Sequence, residues 1–503
     1  MRRFYQDNRR VPLGMMLVTV SLFIYHFALD RPSWVSSTVY STQSPYQAGG
    51  ATVVVHPSPP FIAEDETTPA PQQPALSAVA SSTPSISATS TTSSLTVNDV
   101  VLMFKTGASV LWKRVPIHLT TSLSPTRIPS ANVLLYSDSP ETIGPYTFVD
   151  ILANTTINDP EIALPYHQQA DHDFRQNYAE INNVYPGDNP GPAGGWKLDK
   201  YKFVPLVQHA GRARPDAKWY IFMEDDAYLF LPNLVAHLDR FDPQKPWYLG
   251  SVAWIHGDYF AHGGSGFAIS RKAWEMAFGD HSPQNIEQKY AEFTAQHGCG
   301  DHILGHVLKE SGVAFGEHPE AEESRFSYGF NPEAHWTSWY EPENWCKPVF
   351  SWHHTHNRDV ARLYELETRW GDVASAKGPI CYKDVYEAMV LPYLRERVEW
   401  WENGAAKYDI RSSNVNGVVA PESVTKPQAW KEAWMSVDKC EAACVAWGDC
   451  VQWSFYEDRC MLDSMIRLGS GIPEGDARRQ SSLPWTSGWL TRRAEHWNSA
   501  CSQ

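Results

Sequence analysis

Basic residues are scarce in this chain relative to acidic ones. Its 503 residues include 42 Lys+Arg against 57 Asp+Glu, which gives a formal net charge of -15. Proteins that bind nucleic acid neutralise its phosphates with clustered Lys and Arg, so this balance argues against nucleic acid as a partner. Cysteine is scarce too, and 8 in a chain of this length exclude a small disulfide scaffold. The length instead allows two or three domains, each with its own core.

Several functional patterns are absent. No short-period internal repeat is visible, which excludes solenoids and propellers. The sequence has no Ser/His/Asp signature of a nucleophilic hydrolase, and it lacks the clustered His and Asp sets of a two-metal phosphodiesterase. Aromatic residues, in contrast, are abundant, with 21 Trp and 23 Tyr. Most Trp side chains are expected in cores, although such a composition also suits surfaces that stack on sugar rings.

One long apolar run lies near the N-terminus, from Val11 to Leu29, after an Arg-rich tail at residues 1–10. Its length is sufficient to cross a bilayer, and the basic flank predicts a cytosolic N-terminus. A cleaved secretory signal is the alternative, but the run exceeds a usual signal core and no clear small-x-small cleavage site follows it. We therefore expect a retained transmembrane anchor at residues 11–29.

Residues 30–98 are predicted to form a stem. The segment is rich in Pro, Ser, Thr and Ala with few large apolar residues, so it cannot bury a core, and its hydroxyl-rich part suits O-glycosylation. All cysteines follow this segment, and Asn154 begins an N-glycosylation sequon. Both features fit an oxidising lumen. Anchor, stem and lumenal region together favour a single-pass type II protein of the Golgi membrane.

Three short apolar runs in the following region each end in polar residues, as buried strands do beside a ligand site. The runs are Val100 to Phe104, Ala131 to Tyr136 and Trp219 to Met223, and the polar turns are Lys105-Thr106-Gly107, Ser137-Asp138 and Glu224-Asp225-Asp226. Helix-length stretches between them predict an α/β domain with a largely parallel sheet, over residues 99–402. Because ligands gather beyond the carboxyl ends of such strands, the three turns are expected to share one crevice.

The acidic turn Glu224-Asp225-Asp226 lies between apolar flanks. Three adjacent carboxylates there are costly unless a cation or basic groups compensate them. A Mg²⁺ or Mn²⁺ ion shared with the phosphates of a nucleotide is one solution. The alternative is a helix N-terminus, where the helix dipole stabilises acidic side chains. The three acidic residues alone do not distinguish these two interpretations.

Four blocks in this order resemble the fringe-like and core 1 synthase-like β-1,3-glycosyltransferases, a group of glycosyltransferase family 31, here of fungal type. The blocks are Glu224-Asp225-Asp226; Tyr248 to Gly250 followed by Phe260 to Arg271; Cys299 to Gly305; and Phe350 to His353. The resemblance covers about Val100 to Trp370. It implies a GT-A fold and an inverting transfer from a UDP-sugar to a glycan or glycoprotein hydroxyl, with Mn²⁺, or alternatively Mg²⁺, as cofactor. A homodimer is compatible with it.

The resemblance also implies roles for single residues. Asp301 matches the general base, and Glu224, Asp226 and His353 match the metal site, although many family members have Asp at the position of Glu224. The positions that resemble donor contacts are Thr106, Gly107, Arg114, Asp138, Lys202, Asp225, Gly263, Gly264 and Ser265.

Simpler roles remain open from the residues alone. Asp301 at a helix start needs to be no more than an N-cap. Three nearby histidines, His353, His354 and His356, suit structural hydrogen bonds as well as metal. The glycines suit a tight turn, and Lys202 suits a helix surface where its stem packs and its charge reaches water.

The amino-acid composition changes in the C-terminal part of the sequence. Residues 403–427, rich in Gly, Ser, Asn and Pro, are expected to be a linker, and residues 428–503 carry Cys440, Cys444, Cys450 and Cys460. This segment resembles a PAN/apple module, which implies the pairs Cys440–Cys460 and Cys444–Cys450. A zinc site is the rival interpretation, disfavoured by the spacing and the lumenal setting. The partners of the other cysteines stay unassigned: Cys299, Cys346, Cys381 and Cys501.

Two functions compete at this point. The first is a metal-dependent glycosyltransferase of the secretory pathway. The second is a non-catalytic glycan-binding or scaffold protein that retains the fold, which the altered Glu224 and the appended module favour.

Overall fold

The computed structural model describes residues 94–155, 157, 163, 166, 195–279, 286–315, 329–371, 378–481 and 483–502. The expected tail and anchor, and almost all of the expected stem, lie outside these residues. Within the part of the chain that is described, no helix combines the length and apolar character needed to cross a membrane. Asn154, the expected glycosylation site, is exposed.

The described strands run as follows along the chain: β1 (Val100–Lys105), β2 (Val133–Ser137), β3 (Glu141–Ile143), β4 (Tyr146–Asp150), β5 (Trp219–Glu224), β6 (Tyr228–Leu229), β7 (Tyr248–Gly250), β8 (Val252–Ile255), β9 (Asp258–Ala261), β10 (Phe267–Ser270), β11 (Phe330–Asn331), β12 (Ser351–Trp352), β13 (Val398–Glu399), β14 (Trp401–Glu402), β15 (Tyr408–Arg411), β16 (Gln452–Tyr456), β17 (Arg459–Asp463), β18 (Ser470–Gly471) and β19 (Thr486–Trp489).

The described α-helices are α1 (Leu111–Thr120), α2 (Asp199–Ala213), α3 (Leu231–Leu238), α4 (Arg271–Phe278), α5 (Ile286–Lys289), α6 (Ala291–Gln296), α7 (Gly300–Glu310), α8 (Asn357–Trp370), α9 (Tyr382–Val385), α10 (Pro427–Glu432) and α11 (Val437–Ala446). Short 3-10 turns lie at Ser130–Asn132, Gly195–Leu198, Leu391–Tyr393, Ala433–Met435, Ala477–Gln480 and Thr491–Ser502, and a π-helical turn lies at Tyr386–Val390.

A seven-stranded sheet forms the centre of the N-terminal half, in the order β3-β4-β2-β1-β5-β10-β7. Strands β4, β2, β1 and β5 are parallel, whereas β10 and β7 continue the sheet in antiparallel pairs. The prediction of an α/β domain with a largely parallel sheet is confirmed, and this architecture fits a GT-A type fold.

Helices cover both faces of this sheet. In β1 the side chains of Val101 and Met103 belong to one buried cluster, which includes residues of α2, α4 and α7. Val100, Leu102 and Phe104 belong to the opposite cluster, with residues of α1 and α3. Because alternate residues of a strand face opposite sides, a strand buried on both faces must be apolar throughout, as β1 is.

The C-terminal part forms a five-stranded sheet, β13-β19-β16-β17-β15. Strand β15 lies inside the segment that was expected to be a linker, and it pairs with β17. Strand β13 comes from the expected catalytic segment and pairs with β19. The sheet therefore draws strands from both sides of the expected boundaries.

The described part of the chain contains three disulfides: Cys440–Cys460, Cys444–Cys450 and Cys346–Cys501. The first two are the pairs that the PAN/apple resemblance implied, and they rule out a zinc site at these cysteines. The third joins the chain's end to the segment before β12. Cys299 and Cys381 remain free thiols.

Candidate active site

The three predicted polar turns meet at the carboxyl ends of β1, β2 and β5. Lys105 is in register with Glu224 on the neighbouring strand. The hydroxyl of Thr106 donates to Asp225 Oδ2 at 2.5 Å, and the backbone N–H of Ala108 donates to Asp138 Oδ1 at 2.7 Å. The three turns lie together, as expected, because parallel strands end at the same edge of their sheet.

The buried ammonium of Lys105 compensates part of the negative charge of the acidic turn. It lies 3.1 Å from Glu224 Oε1 and contacts Asp199 of α2. Burial alone would lower the pKa of Lys105, but the two carboxylates raise it above its usual value. Burial, together with Asp199 and Asp226, raises the pKa of Glu224 to about 7 against the opposing effect of Lys105. Glu224, expected as a metal ligand, thus has a lysine as its charge partner.

Asp225 is held by residues of the first polar turn and of α1. Besides Thr106 it accepts from Arg114 at 2.9 Å, and its backbone carbonyl contacts His118 Nε2 at 2.9 Å. Burial raises the pKa of Asp225, and Arg114 opposes that rise. Asp225 is 5% exposed, so its carboxylate fixes the turn and lies largely out of reach of a ligand.

Asp226 forms the other side of the turn, beside two histidines. Its Oδ1 lies 3.4 Å from His353 Nε2, and its Oδ2 lies 3.9 Å from His354 Nδ1 and 3.1 Å from Arg114. Burial would raise the pKa of Asp226, but these cationic neighbours lower it well below its usual range. For His353 the burial effect is outweighed by Asp226, which raises its pKa.

Strand pairing explains why these residues meet. Strand β12 runs antiparallel to β6, with Trp352 opposite Tyr228. Beyond this pair, the N–H of Thr355 donates to the carbonyl of Asp226 at 2.7 Å. The orientation of the His353 imidazole is fixed through its other nitrogen, because Nδ1 contacts the carbonyl of Pro332 at 3.1 Å.

A divalent cation fits this cluster. One ligand atom each of Asp226, His353 and His354 lie within 4.8 Å of one another, and this is the one such group among the described residues. Asp226 Oδ1 is buried, and although it lies 3.4 Å from His353 Nε2, no well-aligned hydrogen bond satisfies it. The Nδ1 contact of His353 leaves its Nε2 for a ligand, as metal-binding histidines commonly require. One carboxylate with imidazole nitrogens suits Mn²⁺ better than Mg²⁺. Glu224 is outside this group, because it pairs with Lys105.

The glycine loop, residues Gly263 to Gly266, packs against His353. A Cβ on Gly264 would lie 2.2 Å from His353 Cε1, and a Cβ on Gly263 would lie 2.9 Å from the ring of Phe203. Gly266 has a φ of 79°, a conformation that favours glycine. The hydroxyl of Ser265 donates to the carbonyl of His262 at 2.8 Å, so it stabilises the loop from within. Both the tight turn and the close approach of the backbone are therefore present.

Asp301 lies on the other side of the same loop. Its Oδ2 accepts the N–H of Gly263 at 2.8 Å, and its Oδ1 accepts the N–H of His302 at 2.8 Å. The N-cap of α7 is Cys299, so the interpretation of Asp301 as an N-cap is wrong. These two backbone N–H groups fix the Asp301 carboxylate. One of them belongs to Gly263, the neighbour of Gly264 in the glycine loop.

The remaining donor-site candidates lie around the first two polar turns. Lys202 is buried, and its ammonium lies 3.0 Å from both Asp138 Oδ2 and the carbonyl of Thr106. A Cβ on Gly107 would lie 3.2 Å from this ammonium. The prediction that Lys202 reaches water along a helix surface is wrong, since it cross-links the first two turns. Arg114, 36% exposed, is the cationic side chain of this group with most access to solvent.

Sequence reasoning named Lys105 only as part of a polar turn, and it missed two other contributors to this site. Lys105 and Asp199 form a charge pair from β1 and α2, and His118 of α1 holds the carbonyl of Asp225. A lysine at the end of an otherwise apolar strand was the available signal for Lys105. His354, for which a structural hydrogen bond and a metal role were both left open, belongs to the same group as Asp226 and His353.

Comparison with known proteins agrees with part of this architecture. Residues 95–318 match the family model described as Fringe-like. The Fringe glycosyltransferase of Drosophila melanogaster is 38% identical over 71 residues, an alignment that covers 11% of this chain and 17% of the relative. The chain thus aligns with less than a fifth of that relative's length. The Fringe-like match includes the acidic turn, the glycine loop and Asp301, whereas His353 lies beyond it.

Proposed function

We propose that this chain is a metal-dependent, inverting glycosyltransferase that moves a sugar from a UDP-sugar to a glycan or glycoprotein hydroxyl, in a β-1,3 linkage. The observation that carries the proposal is the glycine loop between two chemically different groups. Gly264 packs against His353, which with Asp226 and His354 forms the candidate cation cluster. The N–H of Gly263 donates a hydrogen bond to Asp301. A donor diphosphate at the cluster and an acceptor hydroxyl at Asp301 would therefore meet across one stretch of backbone. The Fringe-like match over residues 95–318 supports the same reaction class.

Asp226 and His353, with His354 beside them, are the residues that would hold Mn²⁺ or, alternatively, Mg²⁺. A bound divalent cation supplies positive charge for the diphosphate as it departs. Arg114 adds a cation of the protein itself, since it contacts Asp226 and is exposed enough to reach a phosphate. The remaining donor contacts would come from the backbone of the glycine loop.

Asp301 would act as the general base. Its carboxylate is fixed by two backbone N–H groups, and general-base catalysis requires a carboxylate within hydrogen-bond reach of the reacting hydroxyl. Asp301 takes the proton of the acceptor hydroxyl while that oxygen bonds to the anomeric carbon. The bond between that carbon and the diphosphate oxygen breaks, and UDP leaves with the electron pair. A single displacement inverts the anomeric carbon, and no protein nucleophile is needed.

We also propose the cellular setting from the sequence: a Golgi protein held by the anchor at residues 11–29, with the stem and the rest of the chain in the lumen. The disulfides in the described part of the chain suit an oxidising compartment. The C-terminal sheet would be a PAN/apple-like module of fungal-type enzymes of this class.

A second candidate is a glycan-binding protein that retains the fold without catalysis. The observation that favours it is the pairing of Glu224 with Lys105, which removes one carboxylate from the expected metal site.

Transfer assays decide between the two functions. The purified full-length chain is incubated with Mn²⁺, a panel of UDP-sugars and neutral oligosaccharide acceptors, and released UDP and product mass are measured. Asp301→Asn is expected to lower turnover by at least about a thousandfold while UDP still binds. Asp438→Asn is the matched control, because Asp438 is also the second residue of its helix. Absence of UDP release with every donor, or full activity of the Asp301 variant, would refute the catalytic proposal.

A further inference from the structure

A two-stranded hairpin precedes the glycine loop and stands outside the central sheet. Strands β8 and β9 pair with each other in antiparallel register and are joined by His256 and Gly257. Both residues have positive φ, 51° and 96°, which is the backbone of a tight hairpin turn that follows strand twist. Ala253, Ile255 and Phe260 pack on the core. The hairpin is thus anchored by one face.

The other face presents aromatic rings to solvent. Trp254 and Tyr259 are directly opposite each other in the register, and they are 51% and 47% exposed. Val252, on the same face, is 38% exposed. Side chains directly opposite each other on neighbouring strands share one face with Cβ atoms about 5 Å apart, so both rings lie side by side on this exposed face, the aromatic platform.

This platform lies close along the chain to Gly263, the residue whose N–H donates to the proposed base Asp301. Tyr259 is four residues before Gly263, whose N–H holds Asp301. Four residues of extended chain span at most about 14 Å. Alternation along β9 also places Tyr259 on the face of Ala261, whose N–H donates to the Tyr248 hydroxyl at 3.2 Å.

We propose that Trp254 and Tyr259 form an acceptor subsite that stacks a sugar ring of the acceptor glycan one or two residues from the reacting hydroxyl; this inference rests on the proposed function. A pyranose ring has an apolar C–H face and polar edges, and Trp and Tyr side chains have the complementary character. The size of the platform argues against a protein occupant. Two half-exposed rings offer roughly 200 Å², about a quarter of what one partner of a stable protein interface buries.

Binding is tested first, independently of turnover. Full-length Asp301→Asn protein, saturated with UDP and Mn²⁺, is applied to an array of immobilised neutral oligosaccharides. Addition of Trp254→Ala or Tyr259→Ala is expected to weaken binding of the retained glycans about tenfold, and Trp254→Phe is expected to recover most of it. Tyr393→Ala is the matched control, since Tyr393 is an exposed ring of similar accessibility, at 46%, outside the hairpin. The Kd for UDP, measured alongside, is expected to stay within about twofold in all variants.

Kinetics of the otherwise wild-type chain provide the second measurement. Trp254→Ala is expected to raise the KM for an oligosaccharide acceptor more than the KM for a monosaccharide methyl glycoside. Glycan binding without any transfer by the wild type would refute the proposed reaction and leave the subsite standing. Equal glycan binding by Trp254→Ala, no glycan binding at all, or a change of oligomeric state as its sole effect would overturn the subsite.

Discussion

A Cβ on Gly264 would lie 2.2 Å from Cε1 of His353, so the imidazole packs directly against the backbone of the glycine loop. His353 is in turn 3.4 Å from Asp226 through its Nε2. Position 264 therefore controls the placement of His353 relative to Asp226, because any side chain there would have to displace the ring.

Gly264→Ala is expected to push His353 away from Asp226. Affinity for UDP with Mn²⁺ should fall more than about tenfold, and the free energy of unfolding should fall by about 1–3 kcal/mol. Gly298→Ala is the control, since a Cβ at Gly298 meets nothing within 4 Å. Titration calorimetry and urea unfolding measure the two effects. Unchanged UDP affinity in Gly264→Ala would show that this contact does not set the cluster.

Lys105→Met tests the role assigned to Glu224. The substitution leaves the carboxylates of Glu224 and Asp199 without their buried cation, so the free energy of unfolding should fall by about 3 kcal/mol. Adding Glu224→Gln to Lys105→Met should restore part of the loss, because the two residues interact directly. Lys431→Met, on the surface of α10, provides the control. If Lys105→Met unfolds at the wild-type urea concentration, Glu224 does not depend on Lys105.

The buried imidazole of His335 is expected to make the folded protein less stable in acid. Burial, together with Arg362 and His356, lowers the pKa of His335 to about 3. The unfolded chain therefore binds a proton near pH 6.5 that the folded chain excludes, so stability is complete above pH 6.5 and falls as the pH decreases toward 3. Between pH 6.5 and 5 the loss attributable to His335 is about 2 kcal/mol. Urea unfolding of wild type and His335→Gln at both pH values should show a smaller decrease in the variant. Parallel pH profiles would exclude His335 as the source.

The Cys346–Cys501 disulfide closes a loop of 155 residues between the segment before β12 and the end of the chain. Replacing both cysteines by Ser should lower the free energy of unfolding by about 4 kcal/mol, because a long loop is released in the unfolded state. Cys299→Ser is the control, as this thiol is exposed and free. Equal guanidinium midpoints for all three proteins would mean that packing alone retains the C-terminus, through contacts such as Trp345 on Trp497.

Features encoded locally were predictable from the sequence. The apolar runs that end in Lys105, Ser137 and Glu224 gave the parallel strands, and the order of polar turns gave the shared crevice. Features that depend on residues far apart were not. The pairing of Lys105 with Asp199 joins residues 94 positions apart through the packing of α2 on the sheet.

Strand pairing was similarly hidden at two other places. Residues 408–411 lie in a segment, 403–427, whose overall composition suggests a linker, yet they pair with β17 and form a strand. The meeting of Asp226 and His353 required the antiparallel pairing of β6 with β12, which are both two residues long and too short to recognise by periodicity. Without the family resemblance, His353 would have remained one histidine among three.

Calorimetric titration of UDP into the full-length chain tests the cation cluster itself, without any need for the donor sugar or the acceptor. With Mn²⁺ present, the wild type and the Asp438→Asn control should bind UDP equally, and Asp226→Asn should bind at least about tenfold more weakly. In EDTA the affinity of the wild type should fall to that of Asp226→Asn. Equal UDP affinity of all three proteins in Mn²⁺, with no decrease in EDTA, would mean that Asp226 and His353 hold no cation for the diphosphate.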